Sequence, residues 1–291
     1  MLRRTFCHIP GIGDKIEQRV WKEGILSWSD ALWNTAFQAC LPRGLTGLAE
    51  GALLRSQEHL ENGNIHFFRS NLRHFYRWRL FPDFREKTVF LDIETTGIPP
   101  PDDRITLITL FDGYKIKIYI QGINLGDFAN DIMQYQVIIT FNGKCFDIPF
   151  IERDLDIRLP QVHLDLRFIL KSLGLSGGLK ICEKAIGIDR GDLAGVDGFT
   201  AVLLWQKYQE GCGEALETLI AYNVEDTVNL EKLMVYAYNR KVKDLEFSDL
   251  ILPEPHKRII LPYTINREIL NEIFHERLRR YGKRTWELVD G

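Results

Sequence analysis

The chain has 291 residues, 45% of them hydrophobic and 26% charged, a balance typical of a globular protein that is long for one domain and short for three. No apolar run approaches the roughly 20 residues a membrane helix needs, and Met1-Leu2-Arg3-Arg4-Thr5 lacks the apolar stretch of a signal peptide. Cys7, Cys40, Cys145, Cys182 and Cys212 are too scattered for a zinc knuckle or a disulfide framework, so a cytoplasmic protein without a membrane partner is expected.

Residues 1–86 read as a helical N-terminal region rich in Trp, Phe and Arg, with 12 Lys and Arg against 9 Asp and Glu, a local charge of +3. His8-Ile9-Pro10-Gly11-Ile12-Gly13-Asp14-Lys15, followed by the amphipathic Ile16, Val20 and Trp21, resembles a helix-hairpin-helix. In such a turn Gly11 and Gly13 would offer backbone N–H groups to a nucleic-acid phosphate at a helix start. Only nine residues precede Pro10, which leaves little chain for a first helix. Between His66 and Leu80, Arg69, Arg73, Arg77 and Arg79 interleave with aromatic residues. Helical spacing would line up Arg69, Arg73 and Arg77 as a stripe opposite a buried face of Phe68, Leu72 and Phe75. Such a stripe suits a single-stranded nucleic acid, and equally a solvated helix face.

From Lys87 the pattern changes. Thr88–Ile93, Ile105–Phe111 and Lys115–Gln121 read as strands, the last two joined by the hairpin signal Asp112-Gly113. Leu125–Tyr135 reads as a helix, Val137–Phe141 as a buried strand and Val162–Leu166 as a short one. A long helix is expected from about Gly213 to Asn239. A meander followed by helix, strand and helices predicts an α/β domain over residues 87–239 with a mixed sheet. This stretch carries 14 Lys and Arg against 22 Asp and Glu, or −8. Metal-binding carboxylates would give a domain such an acidic centre. Residues 240–291 (+2) read as a C-terminal helical extension, broken first by Pro253, Pro255 and Pro262 and then capped by Asn266. Its Arg277, Arg279, Arg280, Lys283 and Arg284 fit either a nucleic-acid contact or a solvated face.

Three acidic motifs carry the chemistry. In Val89-Phe90-Leu91-Asp92-Ile93-Glu94-Thr95-Thr96-Gly97, Asp92 and Glu94 share one face of a strand. Two carboxylates there are costly unless compensated, so the pair either holds metal or faces water at the strand end. In Phe141-Asn142-Gly143-Lys144-Cys145-Phe146-Asp147-Ile148-Pro149-Phe150, Asp147 follows a turn and is either a ligand or a helix N-cap. Tyr222 and Asp226 stand four apart on the long helix and stack one turn above the other, as a functional pair or as a solvated acid beside a tyrosine. Asp165, after its own short apolar run, reads best as a cap or salt-bridge partner.

Together these motifs resemble the DEDD 3′→5′ exonucleases of the ribonuclease H-like superfamily, which include ribonuclease D and polymerase proofreading domains. Asp92 and Glu94 match the first motif, Asp147 the second, and Tyr222-x-x-x-Asp226 the tyrosine form of the third. The resemblance spans about residues 87–239. It implies a ribonuclease H-like mixed sheet flanked by helices and two Mg²⁺ or Mn²⁺ ions held by Asp92, Glu94, Asp147 and Asp226. Tyr222 would orient the attacking water, since a phenol with a pKa near 10 is a poor base at neutral pH. Without cations, like charges ~4 Å apart repel by about 4 kcal/mol per pair at an effective dielectric near 20. Asn142 and Phe146 would touch terminal nucleotides, and Thr95 and Gly97 would present backbone amides to the 3′ end. Single-stranded DNA is the expected substrate, favoured over RNA by the glycine turn. An exoribonuclease like ribonuclease D, or an inactive nucleic-acid-binding module of the same fold, would share the framework.

Overall fold

The computed structural model describes residues 1–97, 102–255 and 263–281, with Arg280 and Tyr281 described by backbone alone. It divides into two compact units, one ending at Glu86 and the other beginning at Lys87. In the first unit Gly13 is the N-cap of helix α1 (Asp14–Lys22), but only a three-residue 3-10 turn, Leu2–Arg4, stands where a paired helix was expected. The reason is local. The N–H groups of Phe6 and Cys7 donate to Glu17 Oε1 of α1 at 2.6 and 3.0 Å, which ties the segment down as irregular chain. Arg79 donates to the same carboxylate at 2.9 Å and is buried, so it belongs to the core of this unit and to no nucleic-acid surface.

Helix α2 (Thr46–Glu61) and helix α3 (Ile65–Asn71) follow. The expected helix over His66–Leu80 does not run through. α3 stops at Asn71, Leu72 is extended, and a 3-10 helix takes over from His74 to Leu80. Arg69, Arg73 and Arg77 therefore form no continuous stripe, and Arg77 turns back to donate to the carbonyl of Arg69 at 3.0 Å. Leu72 is buried but Phe75 is 48% exposed, because the break rotates the second half of the segment and buries Trp78 and Leu80 in its place.

The second unit is built on a five-stranded sheet in the order β3-β2-β1-β4-β5, with β1 Thr88–Thr95, β2 Ile105–Phe111, β3 Ile116–Ile120, β4 Val137–Thr140 and β5 Val162–Asp165. β1, β2 and β3 pair antiparallel, while β4 and β5 add in parallel, so the mixed sheet expected from the meander is present. At the hairpin Asp112 Oδ1 accepts from the N–H groups of Tyr114 and Lys115. The helix expected over Leu125–Tyr135 is shorter, a 3-10 turn continuing into Phe128–Ile132.

Alternation along β1 sorts its side chains. Val89, Leu91 and Ile93 enter one core with Ile108, Leu110, Phe128 and Ile151. Asp92 and Glu94 therefore take the other face, which the chain covers with helices. After helix α4 (Asp147–Asp154) and helix α5 (Leu166–Lys171) come helix α6 (Leu179–Ala185), helix α7 (Gly198–Gln209), helix α8 (Gly213–Asp244) and helix α9 (Arg267–Tyr281). α8 runs past the expected end at Asn239. Leu204 and Trp205 of α7, Leu219 and Ile220 of α8, and Leu270 and Ile273 of α9 form a second core. Asn266 Oδ1 accepts from the N–H groups of Glu268 and Ile269 and so caps α9 as expected. Arg277 is not a free basic residue: it grips Asp197, the N-cap of α7, with two bonds of 2.7 and 2.9 Å. Pro262, Lys283, Arg284 and the side chain of Arg280 lie outside the described residues. Among the described residues, no helix is long and apolar enough to cross a membrane.

Candidate active site

Strand β1 and helix α8 bring three of the four predicted acids together, Asp147 being carried by a different element. Asp92, Glu94 and Asp226 each offer a carboxylate oxygen, and the three atoms lie within 4.8 Å of one another. The two strand acids arrive by the i, i+2 alternation, and α8 crosses this face of the sheet so that Asp226 meets them. Asn223, one turn before Asp226 and fully buried, donates to Asp92 Oδ2 at 2.6 Å and reaches Glu94 Oε1 at 3.5 Å. Its own Oδ1 is buried without a partner, so the polar demand of the site is unmet by protein groups alone. An oxygen-only donor set of this kind fits Mg²⁺ or Mn²⁺.

Asp147 stands beside this triad. It is the first residue of α4 and not its N-cap, a position taken by Phe146 without a side-chain cap bond. The turn that delivers it is built with care. Asn142 takes a left-handed conformation, and the N–H groups of Asn142 and Lys144 donate to the Asp165 carboxylate at 2.8 and 3.1 Å. A Cβ on Gly143 would stand only 2.2 Å from Thr140 Oγ1, which accepts the Gly143 N–H at 3.0 Å. Asp165 also accepts the N–H of Arg167 and caps α5, the structural role expected for it.

The electrostatics follow from burial and crowding. Desolvation pushes the Asp92 carboxyl well above its usual range, and the charges of Asp147, Asp226 and Glu94 add to the push. Glu94 is raised by burial and then by Asp226, with Asn223 and Lys180 pulling the other way. Asp147 is pushed up to about 7, by burial first and then by Asp165. Buried Tyr222 is raised well above the ordinary phenol range by desolvation and by the carboxylates of Asp226 and Glu94, so at neutral pH it keeps its proton. Arg190 Nη2 donates to Asp226 Oδ1, and Lys180 Nζ stands 5.1 Å from the centre of the Tyr222 ring.

A folded pKa of about 7 for Asp147 against 3.8 in an unfolded chain means that the native state holds the proton more tightly. Its contribution to stability is complete below pH 4 and is lost as pH rises through 7. In EDTA, Asp147→Asn should therefore melt several degrees above wild type at pH 8 and by a clearly smaller margin at pH 5, the excess vanishing only below pH 4. The difference between the two proteins isolates the carboxyl from His8, which burial lowers to about 3 and whose effect runs the other way. Equal melting differences at both pH values would show that Asp147 is not held protonated.

The other predicted residues divide. Thr95, Gly97 and Phe146 line an open cleft of about 510 Å³ together with the triad and Tyr222. Phe146 is 39% exposed, and Phe199 faces the same cleft. The Gly97 N–H, expected to be offered to a 3′ end, is instead donated to Asp103 Oδ1 at 3.0 Å. Gly97 itself takes a positive φ, a conformation that glycine adopts without strain. Asn142 is a turn residue whose side chain accepts from Arg167 at 2.7 Å, and it does not line the cleft. Gly11, Gly13 and Arg73 surround a separate cavity of about 390 Å³ within the first unit, and Arg69 is not among its lining residues. Sequence reasoning missed Asn223, Lys180, Glu183 and Arg190. Asn223 alone left a signal, since it precedes Asp226 by three residues and so shares its helix face.

A family model described as the RNase H superfamily matches residues 89–238, half of the chain. Among solved structures, the family B DNA polymerase of the hyperthermophilic archaeon Pyrobaculum calidifontis is similar at 14% identity and a TM-score of 0.41, over 61% of this chain and 31% of the polymerase. The chain thus spans less than a third of that relative. Brucella melitensis NrnC is similar at 17% identity and a TM-score of 0.40, over 58% of this chain and 80% of NrnC. The EXO domain of Aedes aegypti Nibbler gives 12% and 0.39, over 62% and 91%. No curated protein matches the chain.

Proposed function

This chain belongs to the RNase H superfamily, and from that premise we propose that it is a metal-dependent 3′→5′ exonuclease that removes nucleotides from single-stranded ends. The observation that carries the reading is the convergence of Asp92, Glu94 and Asp226 oxygens within 4.8 Å, in an open cleft beside a buried tyrosine. Asp92, Glu94, Asp147 and Asp226 would hold two Mg²⁺ or Mn²⁺ ions. When bound, such ions lower the pKa of water and stabilise the departing 3′ oxygen. The remaining work falls to the chain. Tyr222 keeps its proton and acts as a donor that orients the attacking water. Asn223 holds the Asp92 and Glu94 carboxylates in their rotamers through its amide. Phe146 and Phe199 offer exposed rings on which the terminal bases can stack.

DNA is proposed ahead of RNA on one feature, the Gly11-Ile12-Gly13 turn that opens α1 beside the cavity shared with Arg73. The test uses 5′-labelled single strands of DNA and RNA, each with Mg²⁺ and with Mn²⁺. The DNA strand should shorten stepwise, and a 3′-labelled copy should release its label at once. Cleavage of a circular single strand would identify an endonuclease and defeat the proposal. Faster shortening of RNA would keep the exonuclease and reverse the substrate preference.

A further inference from the structure

The acids of the cleft are not left to face one another alone. Arg190, in the loop after α6, donates through Nη2 to Asp226 Oδ1 and through Nη1 to Glu183 Oε2 at 2.6 Å. Glu183 is fully buried and its other oxygen accepts from Asn229 Nδ2 of α8 at 3.0 Å. The Arg190 side chain is itself only 7% exposed. Burying such an ion pair is costly, and a hydrophobic pair would serve packing as well or better. A pair placed so that its positive end touches one of three clustered carboxylates has an electrostatic consequence that packing does not explain.

We propose that Arg190, anchored from behind by Glu183, is a fixed counter-ion on Asp226 that sets how tightly the cleft binds divalent metal. The inference rests on the metal-site reading of Asp92, Glu94, Asp147 and Asp226. With one Asp226 oxygen bonded to the guanidinium, the other remains for an ion. The ligand is thereby oriented and its effective charge is reduced, so metal binds more weakly than four free carboxylates would allow. Arg190 is a positioning residue here and touches no reacting atom.

The charges of the pair predict two opposite effects. Glu183→Gln removes the rear anchor and leaves an uncompensated cation on Asp226, so Mn²⁺ should bind more weakly. Arg190→Met combined with Glu183→Gln removes both charges and returns Asp226 wholly to the metal, so Mn²⁺ should bind more tightly. Each change should be on the order of tenfold, the scale typical of groups that bond to metal ligands. Free Mn²⁺ counted by electron paramagnetic resonance reads binding directly, without reference to activity. A residue that served only packing would give weaker binding in both variants or no change in either, and that result overturns the inference. Should the double variant fail to fold, the single Glu183→Gln still decides, because unchanged or tighter binding in it contradicts the anchor. A wild-type protein that takes up no Mn²⁺ overturns the metal-site reading itself and this inference with it, an outcome separate from the variant comparison.

Discussion

Asp92→Asn and Asp226→Asn should each lower nuclease turnover by about a thousandfold or more while leaving the protein folded. The size follows from what is removed: an ion that neutralises developing charge is worth several kcal/mol, and each 1.36 kcal/mol is tenfold in rate. The tolerance of the fold follows from the site's own strain. Asp92 is raised by burial and by three neighbouring carboxylates, so the neutral amide removes a repulsion and still accepts the bond from Asn223. In EDTA at pH 8 the Asp92→Asn protein should therefore melt at or above the wild-type temperature. Asp226→Asn differs in one respect, since it also takes the charge partner from Arg190, and its melting temperature should fall below that of Asp92→Asn. Activity within tenfold of wild type at saturating Mg²⁺ in either variant would falsify the metal-ligand assignment. Loss of activity together with loss of the folded state would leave Asp92 a structural residue.

Local periodicity gave each of two pairs a shared face, and the resemblance to the DEDD exonucleases joined the pairs and added Asp147. Asp92 and Glu94 are two apart on an apolar strand, and Tyr222 and Asp226 are four apart on a helix, so each pair shares a face before any tertiary contact is known. The sheet was equally legible, since each of its strands is apolar or alternating and its hairpin carries Asp112-Gly113. Arg190 and Glu183 were not legible. They stand 36 and 43 residues from Asp226 on a loop and a short helix, and no period in the sequence links them to it. The His66–Leu80 segment failed for the opposite reason. Its arginines obey helical spacing, yet burial of Trp78, Arg79 and Leu80 outweighs the continuous helix, and the chain breaks at Leu72. Tertiary burial overrode local periodicity there, as it commonly does where aromatic side chains are large and close in sequence.

Tyr222→Phe should lower turnover by roughly one to three orders of magnitude and leave Mn²⁺ affinity within about twofold of wild type. The phenol is buried to 4% exposure, and the carboxylates of Asp226 and Glu94 hold its proton in place. A hydroxyl so held cannot take a proton from water at neutral pH, but it can donate a hydrogen bond and fix the angle of approach. Removing one oxygen from a ring packed against α7 and β2 residues leaves the hydrophobic contacts intact, so melting should change little. The rate of Tyr222→Phe should then show the same pH dependence as wild type between pH 6 and 9, because no titration of Tyr222 contributes to it. A general base would behave otherwise, with a rate in wild type that climbs with pH through the phenol's ionisation and a flat profile in the variant. If metal affinity falls in step with turnover, the hydroxyl supports the carboxylates themselves and the water-orienting role is wrong. Equal turnover in Phe and Tyr forms would assign the water's orientation to the acids alone, with Tyr222 reduced to packing between the sheet and α7.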